Sequence, residues 1–201
     1  MGKRIGIICV ILGIACLLGA AGFALYNRWE SENAEQVTQS LLEDVQSVIR
    51  QEEPLPQDAP IDVLEAKPTE MATVAVAGYD SIGILSIPVL ELELPVLTDW
   101  SYAKLRKAPC HYYGTYYEPD FVIAAHNYQS HFGRLSELQP GDIVMFTAVD
   151  GTVYCYEVVL LETLPKEATK EMITSGFDLS LYTCTPGGGS RVTVRCKTAA
   201  L

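Results

Sequence analysis

The chain begins with a short basic segment and a long apolar stretch that has no periodic polar face. Residues 1–4 carry two positive charges, and residues 5–26 are uncharged and overwhelmingly apolar. At a helical rise of about 1.5 Å per residue, such a stretch crosses a hydrocarbon core of about 30 Å. We therefore predict a transmembrane helix at residues 5–26. Because positive residues collect on the cytoplasmic side, residues 1–4 are expected in the cytoplasm and the chain after Asn27 outside it.

Two other interpretations apply to this apolar stretch. A cleaved signal peptide is the first, because Gly22-Phe23-Ala24 resembles a small-residue cleavage site. A lipoprotein anchor at Cys16 fits less well. No branched apolar residue stands three positions before Cys16, and the apolar stretch continues well beyond it.

Residues 27–72 are acidic, with eleven acids and three bases. Prolines and acids predict an extended linker from Glu53 to Glu70. We interpret residues 27–72 as an acidic helical stalk and a Pro-rich linker. The helix either spaces the next domain from the membrane or packs on that domain as a lid. Apolar residues at three- and four-residue steps predict one face of an amphipathic helix from about Ser31 to Gln51, namely Val37, Leu41, Val45 and Val48.

Residues 73–201 are enough for one compact domain with its own core. Apolar runs of strand length dominate, and Asp150-Gly151 suits a two-residue hairpin turn between two of them. Many short strands with few helices suggest a closed or nearly closed β-barrel. The predicted strands include Ile82–Ile87, Leu90–Leu97, Phe121–Ala125, Ile143–Ala148 and Thr152–Leu161, and the predicted short helices are Ser101–Lys107 and Thr169–Ser175.

Composition excludes some classes of partner. The chain carries 25 acids and 14 bases, and no basic stripe argues for nucleic acid. No His and Cys spacing resembles a zinc site, so we expect neither a metal nor a cofactor. Three scattered acids, Glu118, Asp120 and Glu162, leave a calcium site conceivable.

A cysteine, a histidine and an arginine stand where strands end. Cys184 closes an apolar strand and is followed by Pro186 and three glycines, a turn that returns Arg191 toward it. His126 ends the strand Phe121–Ala125. A nucleophilic cysteine needs a base or imidazolium within hydrogen-bond reach, and nearby positive charge favours the thiolate. The pattern therefore predicts a thiol nucleophile, Cys184, with His126 as its proton-transfer partner; a buried structural cysteine is the alternative.

These residues resemble the sortases, cysteine transpeptidases that attach proteins to the cell wall of Gram-positive bacteria or link pilin subunits. The family signature Thr-Leu-x-Thr-Cys is similar to Ser180-Leu181-Tyr182-Thr183-Cys184. The family histidine follows a short apolar strand, as His126 does, and the family arginine opens the strand after the nucleophile loop, as Arg191 does. Strand alternation also favours Arg191 over Arg195, because only Arg191 lies at the loop end of the strand.

The resemblance implies a mainly β fold with a closed eight-stranded sortase barrel. It implies that Cys184 attacks a sorting-signal peptide similar to Leu-Pro-x-Thr-Gly, that His126 transfers protons, and that Arg191 orients substrate and stabilises the oxyanion. Thr183 and Asn127 are expected to bind substrate. The acyl group would pass to an amine of a peptidoglycan precursor or a pilin lysine. The reaction would take place on the outer face of the cell membrane, in whose lipid the N-terminal helix is anchored.

Several alternatives stay open on the sequence. One alternative is a membrane-tethered β-barrel binding module with structural cysteines. Another is a thiol peptidase that uses water as the acceptor. Cys110, Cys155 and Cys196 are buried thiols or disulfide partners. Asn127 and the segment from His131 to Leu135 resemble class B sortases, although the segment from Leu164 to Asp178 is short for that class. Four tyrosines either line a peptide groove or pack a loop, namely Tyr112, Tyr113, Tyr116 and Tyr117.

Overall fold

A computed structural model describes residues 2–51 and 70–199 of the 201-residue chain. The predicted linker from Glu53 lies almost entirely outside these residues. The helices are α1 (Gly2–Gln51), α2 (Tyr102–Leu105) and α3 (Thr169–Ile173), with 3-10 turns at Pro88–Leu90 and Leu135–Glu137. The strands are β1 (Val74–Val76), β2 (Tyr79–Ile87), β3 (Leu92–Leu97), β4 (Cys110–Tyr113), β5 (Phe121–Ala124), β6 (Ile143–Ala148), β7 (Val153–Pro165), β8 (Leu179–Cys184) and β9 (Ser190–Thr198).

The strands form a closed eight-stranded β-barrel of the predicted kind. They follow the order β2-β3-β4-β5-β8-β9-β7-β6, and β2 also pairs with β6, which closes the barrel. The short strand β1 extends the sheet from β2. Most neighbours are antiparallel, but β5 runs parallel to β8. Parallel neighbours bring their carboxyl ends to the same edge of the barrel, and this edge carries the chemistry described below.

The β6–β7 turn differs from the two-residue hairpin that we predicted. Gly151 has a positive φ of 83°, but Asp150 does not. The Gly151 amide donates to the Ala148 carbonyl at 3.0 Å, and the Ala148 amide donates to the Thr152 carbonyl at 2.9 Å. These two bonds define a three-residue loop in which only the last residue is left-handed, so the expected two-residue turn is wrong.

Aromatic and branched apolar side chains fill the barrel. Phe121 and Phe146 are fully buried and meet edge to face, with ring centroids 5.3 Å apart. Tyr116 packs against both rings and belongs to this core rather than to a surface groove. Cys196 also lies in this core. The interior is therefore a packed core, and the functional side chains lie at the rim.

Helix α1 runs without interruption across residue 26, where we placed the end of the membrane span. Its N-terminal half exposes large apolar side chains such as Leu12, Leu17 and Phe23. The helix is long enough and apolar enough to cross a membrane, with a mean hydropathy of 2.6 in its apolar window. Because no helix break separates the two halves, the direction of the apolar half also fixes the direction of the half that contacts the barrel.

The C-terminal half of α1 packs on the barrel as part of the folded domain. Leu41, Leu42 and Val45 are buried against apolar side chains of β1–β3 and of the segment before β4. This contact also has a polar centre. The Thr38 hydroxyl lies 2.8 Å from Nε2 of the fully buried His131 and donates toward the Lys107 carbonyl at 2.6 Å. The stalk helix is therefore docked along the barrel, and it is not a free spacer.

Candidate functional site

The parallel pairing of β5 with β8 brings the residues just before His126 alongside the end of β8, where Cys184 lies. Ala124 is the partner of Tyr182 in the register, and the Ala125 amide donates to the Tyr182 carbonyl at 3.1 Å, so the pairing continues beyond β5. His126 follows Ala125 at this edge of the barrel, and Cys184 ends β8. The two residues line separate cavities: His126 lines one beside α1, and Cys184 lines one that also contains Arg191.

Thr183 holds this edge of the barrel together. Its side chain is buried, and its hydroxyl donates to the Ala125 carbonyl at 2.9 Å. The bond joins the residue before Cys184 to the residue before His126. The Thr183 side chain thus has a positioning role at this edge, and the expected substrate contact of Thr183 stays a prediction.

Arg191 lies directly across the β8–β9 hairpin from Cys184 as its register partner. The connecting turn is closed by the Thr185 amide donating to the Ser190 carbonyl at 3.0 Å, and Gly187 and Gly188 both have positive φ. Nη1 of Arg191 donates to carbonyls of this turn at 3.1 and 3.2 Å. Nε and Nη2 have no hydrogen-bond partner among the described residues. These two donor nitrogens are therefore available to a bound molecule.

Arg195 has a different environment from Arg191, although both lie on the same face of β9. It is 1 % exposed, and its Nε pairs with Glu162 at 2.8 Å. Its two Nη atoms donate to the Ser180 hydroxyl at 2.8 Å and the Glu171 carbonyl at 2.7 Å. Because the guanidinium is saturated and buried, Arg195 is a structural residue that ties α3 to the barrel.

Cys184 and Arg191 line a cavity of about 140 Å³ at the rim of the barrel. One wall is aromatic, since the Trp100 and Tyr112 ring centroids are 5.7 Å apart and those of Tyr112 and Tyr182 are 5.3 Å apart. Lys166 adds a second cation, and no carboxylate is among the lining residues. The cavity therefore combines an apolar aromatic wall with positive charge. Of the four tyrosines for which the sequence left groove lining and loop packing open, Tyr112 lines this cavity.

The other cysteines outside the apolar half of α1 are buried. All six cysteines are free thiols. Burial raises the pKa of Cys110 and of Cys196 to about 12, so both thiols stay protonated at neutral pH. Cys155 is also buried, although it lines a separate cavity, whereas Cys184 is half-buried and lines the cavity with Arg191. The disulfide alternative is thus not adopted, and Cys184 is the most exposed thiol outside the apolar half of α1.

His126 lies against the docked half of α1, an arrangement that the sequence did not indicate. The Tyr128 ring stacks on the imidazole with centroids 4.0 Å apart, and the Tyr128 hydroxyl donates to Glu30 at 3.0 Å. Glu30 in turn lies 3.7 Å from Nε of Arg106. These side chains form the chain Glu30–Tyr128–His126. A cavity of about 470 Å³ lies beside it, lined by Glu30, His126 and Asn127 among others.

The electrostatics of this cluster act on the imidazole. Burial lowers the pKa of His126, the Glu30 carboxylate opposes this effect, and Arg106 adds to it. Burial and the bond to Glu30 raise the pKa of Tyr128 to about 12, so its hydroxyl remains a donor at neutral pH. Nδ1 of His126 is buried and has no hydrogen-bond partner in the described part of the chain. Nδ1 of His131 and the hydroxyl of Ser130 are likewise buried without a partner in this part of the chain.

The acids that left a calcium site conceivable do not gather in the structure. Asp120 accepts bonds from the Ser175 amide at 2.7 Å and its hydroxyl at 2.8 Å, and Glu162 pairs with Arg195. Within residues 2–51 and 70–199, no group of three or more potential ligands has a metal-binding arrangement.

The sequence matches the Sortase domain model over residues 85–199. No curated protein matches significantly. Among solved structures, sortase C1 from Streptococcus agalactiae superposes with a TM-score of 0.56 at 24% identity, over 63% of this chain and 72% of that chain. Sortase C1 from Streptococcus suis has a TM-score of 0.53 at 27% identity, over 60% of this chain and 74% of that one.

The same fold occurs in sortase A from Corynebacterium diphtheriae, with a TM-score of 0.55 at 24% identity. The similarity covers 61% of this chain and 62% of that chain, less than two thirds of its length. The similarity to this structure therefore concerns the fold. The family match includes His126, Cys184 and Arg191 within its bounds.

Proposed function

The chain belongs to the sortase family, because the Sortase domain matches more than half of its length, and we propose that it is a membrane-anchored cysteine transpeptidase. The observation that carries this proposal is the placement of Cys184 between its register partner Arg191 and the end of the strand that delivers His126. The apolar half of α1 would span the membrane, with the barrel on the outer side.

The proposed reaction transfers an acyl group in two steps. The Cys184 thiolate attacks a backbone carbonyl of a sorting-signal peptide, and the imidazolium of His126 protonates the nitrogen as the C–N bond breaks. A thioester on Sγ and a free amine result. A second amine then attacks the thioester carbonyl and gives its proton to His126, and the thiolate leaves. The new amide is made without an external energy source because the thioester retains the bond energy.

Arg191 is suited to stabilise the oxyanion of both tetrahedral intermediates. Its guanidinium is held through Nη1 by the turn carbonyls, and Arg191 lines the same cavity as Cys184. Preorganised donors at the position where negative charge develops lower the barrier without reorganisation. Asn127, beside His126, is proposed to contact the substrate or the incoming amine.

The cavity favours a peptide with an apolar, Pro-containing segment before the scissile bond. The wall formed by Trp100, Tyr112 and Tyr182 offers flat apolar surface to such residues, as aromatic rings do for proline. The absence of carboxylates from the lining disfavours basic residues at these positions. This composition fits a signal of the Leu-Pro-x-Thr-Gly kind, with transfer to an amine of a peptidoglycan precursor or a pilin lysine.

Mass spectrometry of the full chain in detergent tests the proposal. The protein is incubated with Leu-Pro-x-Thr-Gly and Asn-Pro-x-Thr-x peptide pools and triglycine, beside the Cys184→Ala variant. We expect a thioester adduct on Cys184 and a triglycine-exchanged product, both absent from the variant. A hydrolysed peptide without exchange would indicate a thiol peptidase.

Alkylation with a charged iodoacetamide analogue separates the enzyme from the binding module. In micelles, Cys9 and Cys16 are covered, and three further thiols are buried, so Cys184 is expected to react first. An unreactive Cys184 with no adduct from any peptide would favour the module.

Glu30 provides a test of how α1 tunes the histidine. Because Glu30 raises the pKa of His126 against the effect of burial, Glu30→Gln should lower that pKa further. The basic limb of the pH profile of kcat/KM is then expected to move to lower pH, since the imidazolium is lost earlier. The groups that face His126 are Glu30, Arg106, Tyr128, Asn127 and His131.

Glu32→Gln is the matched control for this change. Glu32 lies on the same helix, is exposed, pairs with Arg28 at 2.9 Å, and is not among the groups that act on the pKa of His126. Its pH profile should overlay that of the unmodified protein. If Glu30→Gln and Glu32→Gln give the same profile, the Glu30–Tyr128–His126 chain does not tune the imidazole.

A further inference from the structure

The C-terminal part of the segment from Asp99 to Lys107, which contains α2, contacts α1 through Ala103, Arg106 and Lys107. The Lys107 carbonyl meets Thr38, and Arg106 meets Glu30. Ala103 lines the same cavity as Tyr26 and Trp29. Between Lys107 and Ala103, the contacts with α1 therefore move from Thr38 toward residue 26.

Distances along α1 place this segment relative to the membrane. At about 1.5 Å per residue, Glu30 lies about 6 Å and Thr38 about 18 Å beyond Tyr26 on the helix axis. Each headgroup layer of a bilayer is about 5–8 Å thick. If the span ends at Tyr26, Ala103 lies at the level of the headgroups, with its neighbour Tyr102 beside it and the Trp100 ring against that of Tyr102.

The exposed side chains of the segment suit this position. Tyr102 is 79 % exposed and Trp100 43 % exposed, and their rings meet edge to face at 5.9 Å. Tryptophan and tyrosine concentrate at the membrane–water interface, where their rings meet the acyl chains and their polar atoms meet the headgroups. Tyr26 and Trp29 on α1 are likewise exposed and adjacent, with centroids 6.2 Å apart.

The charges near this surface are largely balanced by neighbouring acids. Lys104 pairs with Asp99, Arg28 with Glu32, and Arg106 with Glu30. Such pairs reduce the attraction to anionic lipids that unpaired cations would provide. The aromatic side chains therefore carry the interaction, and zwitterionic lipid is sufficient for it.

We propose that the segment Asp99–Lys107 rests in the lipid headgroup layer and that Trp100 and Tyr102 are its contacts with lipid. This inference rests on the proposed membrane anchoring by α1. Trp100 also forms part of the wall of the Cys184 cavity, so the surface would set that cavity against the membrane. A substrate or acceptor held at the lipid surface then reaches Cys184 without leaving it.

The two tryptophans of the chain, Trp29 and Trp100, give a direct test. The full chain is reconstituted in phosphatidylcholine vesicles as Trp29→Phe, which leaves Trp100, and as Trp100→Phe, which leaves Trp29. Quenching is measured with a nitroxide on the lipid headgroup and with a nitroxide deep in the acyl chain. We expect the headgroup nitroxide to quench Trp100 as strongly as Trp29, and the deep nitroxide to quench Trp100 little.

Val89→Trp, in a background lacking both natural tryptophans, is the negative control. Val89 is 56 % exposed, and it precedes Glu93, which bonds Gln46 near the far end of α1. Tyr102→Trp in the same background is a second probe of the surface and should be quenched like Trp100.

The outcomes distinguish membrane anchoring by α1 from the contact of the segment Asp99–Lys107 with the headgroups. Quenching of Trp29 without quenching of Trp100 and of the residue-102 probe overturns the headgroup surface and leaves the anchoring intact. Absence of quenching at Trp29 overturns the anchoring and the surface together. Equal quenching of the residue-89 probe and Trp100 would mean that the barrel has no fixed face toward lipid, and would also overturn the proposal.

Discussion

Arg191→Ala is expected to lower kcat/KM by about 10²–10³-fold, the usual cost of removing an oxyanion donor. Its stability should change little, because the lost bonds of Arg191 are to carbonyls of a partly exposed turn. Arg195→Ala, in contrast, is expected to lower the free energy of unfolding. Its guanidinium is buried with Glu162 and Ser180, and removing one partner of such a pair costs about 3–5 kcal/mol. Single-turnover thioester formation and urea unfolding measure the two quantities.

The lysine variants sharpen this comparison. Lysine keeps the charge but loses the planar array of donors, so Arg191→Lys should recover only part of the lost activity. Arg195→Lys should remain clearly destabilised, because one ammonium cannot reach Glu162, Ser180 and the Glu171 carbonyl together. Equal losses of activity at normal stability for both alanine variants would contradict the assignment of Arg191 as the functional arginine.

The elements that follow from local pattern were predicted well from the sequence. The strand Ile143–Ala148 coincides with β6, and Thr169–Ser175 contains α3. In contrast, β4 was not predicted, because Cys110–Tyr113 has no apolar run and owes its strand geometry to pairing with β3 and β5. The β6–β7 loop was predicted one residue too short, since Asp-Gly fits both turn types and the pairing of Ala148 with Thr152 decides between them.

The predicted site was limited to residues that a strand end or a turn marks in the sequence. Cys184 and Arg191 flank one hairpin, so their proximity follows from short-range structure. The docking of Glu30 near His126 joins residues on separate elements, and no periodicity signals it. The apolar face of Val37, Leu41 and Val45 indicated that the helix could pack, but not which barrel edge it meets. That edge depends on the shape of the barrel and on the Thr38–His131 contact.

His131 connects the docking of α1 to pH. It is fully buried, contacts the Thr38 hydroxyl through Nε2, and meets the Tyr128 ring at 5.4 Å. Burial lowers its pKa to about 4, and the nearby His126 acts in the same direction. The unfolded chain therefore binds this proton more readily than the folded one. The stabilisation is complete above pH 6.5, the ordinary value for histidine, and is lost progressively as pH falls toward 4.

We accordingly expect the free energy of unfolding to drop by about 3 kcal/mol between pH 7 and pH 4 through His131 alone, because each tenfold difference in proton affinity between the folded and unfolded chains is worth about 1.4 kcal/mol. Urea unfolding in micelles at several pH values measures this loss. His131→Gln should be less stable at pH 7, because the packed ring is lost, but should fall less steeply in acid. Carboxylates such as Asp120 and Asp178 titrate equally in both proteins and cancel in the comparison. Parallel curves for the two proteins would mean that His131 does not couple α1 docking to protonation.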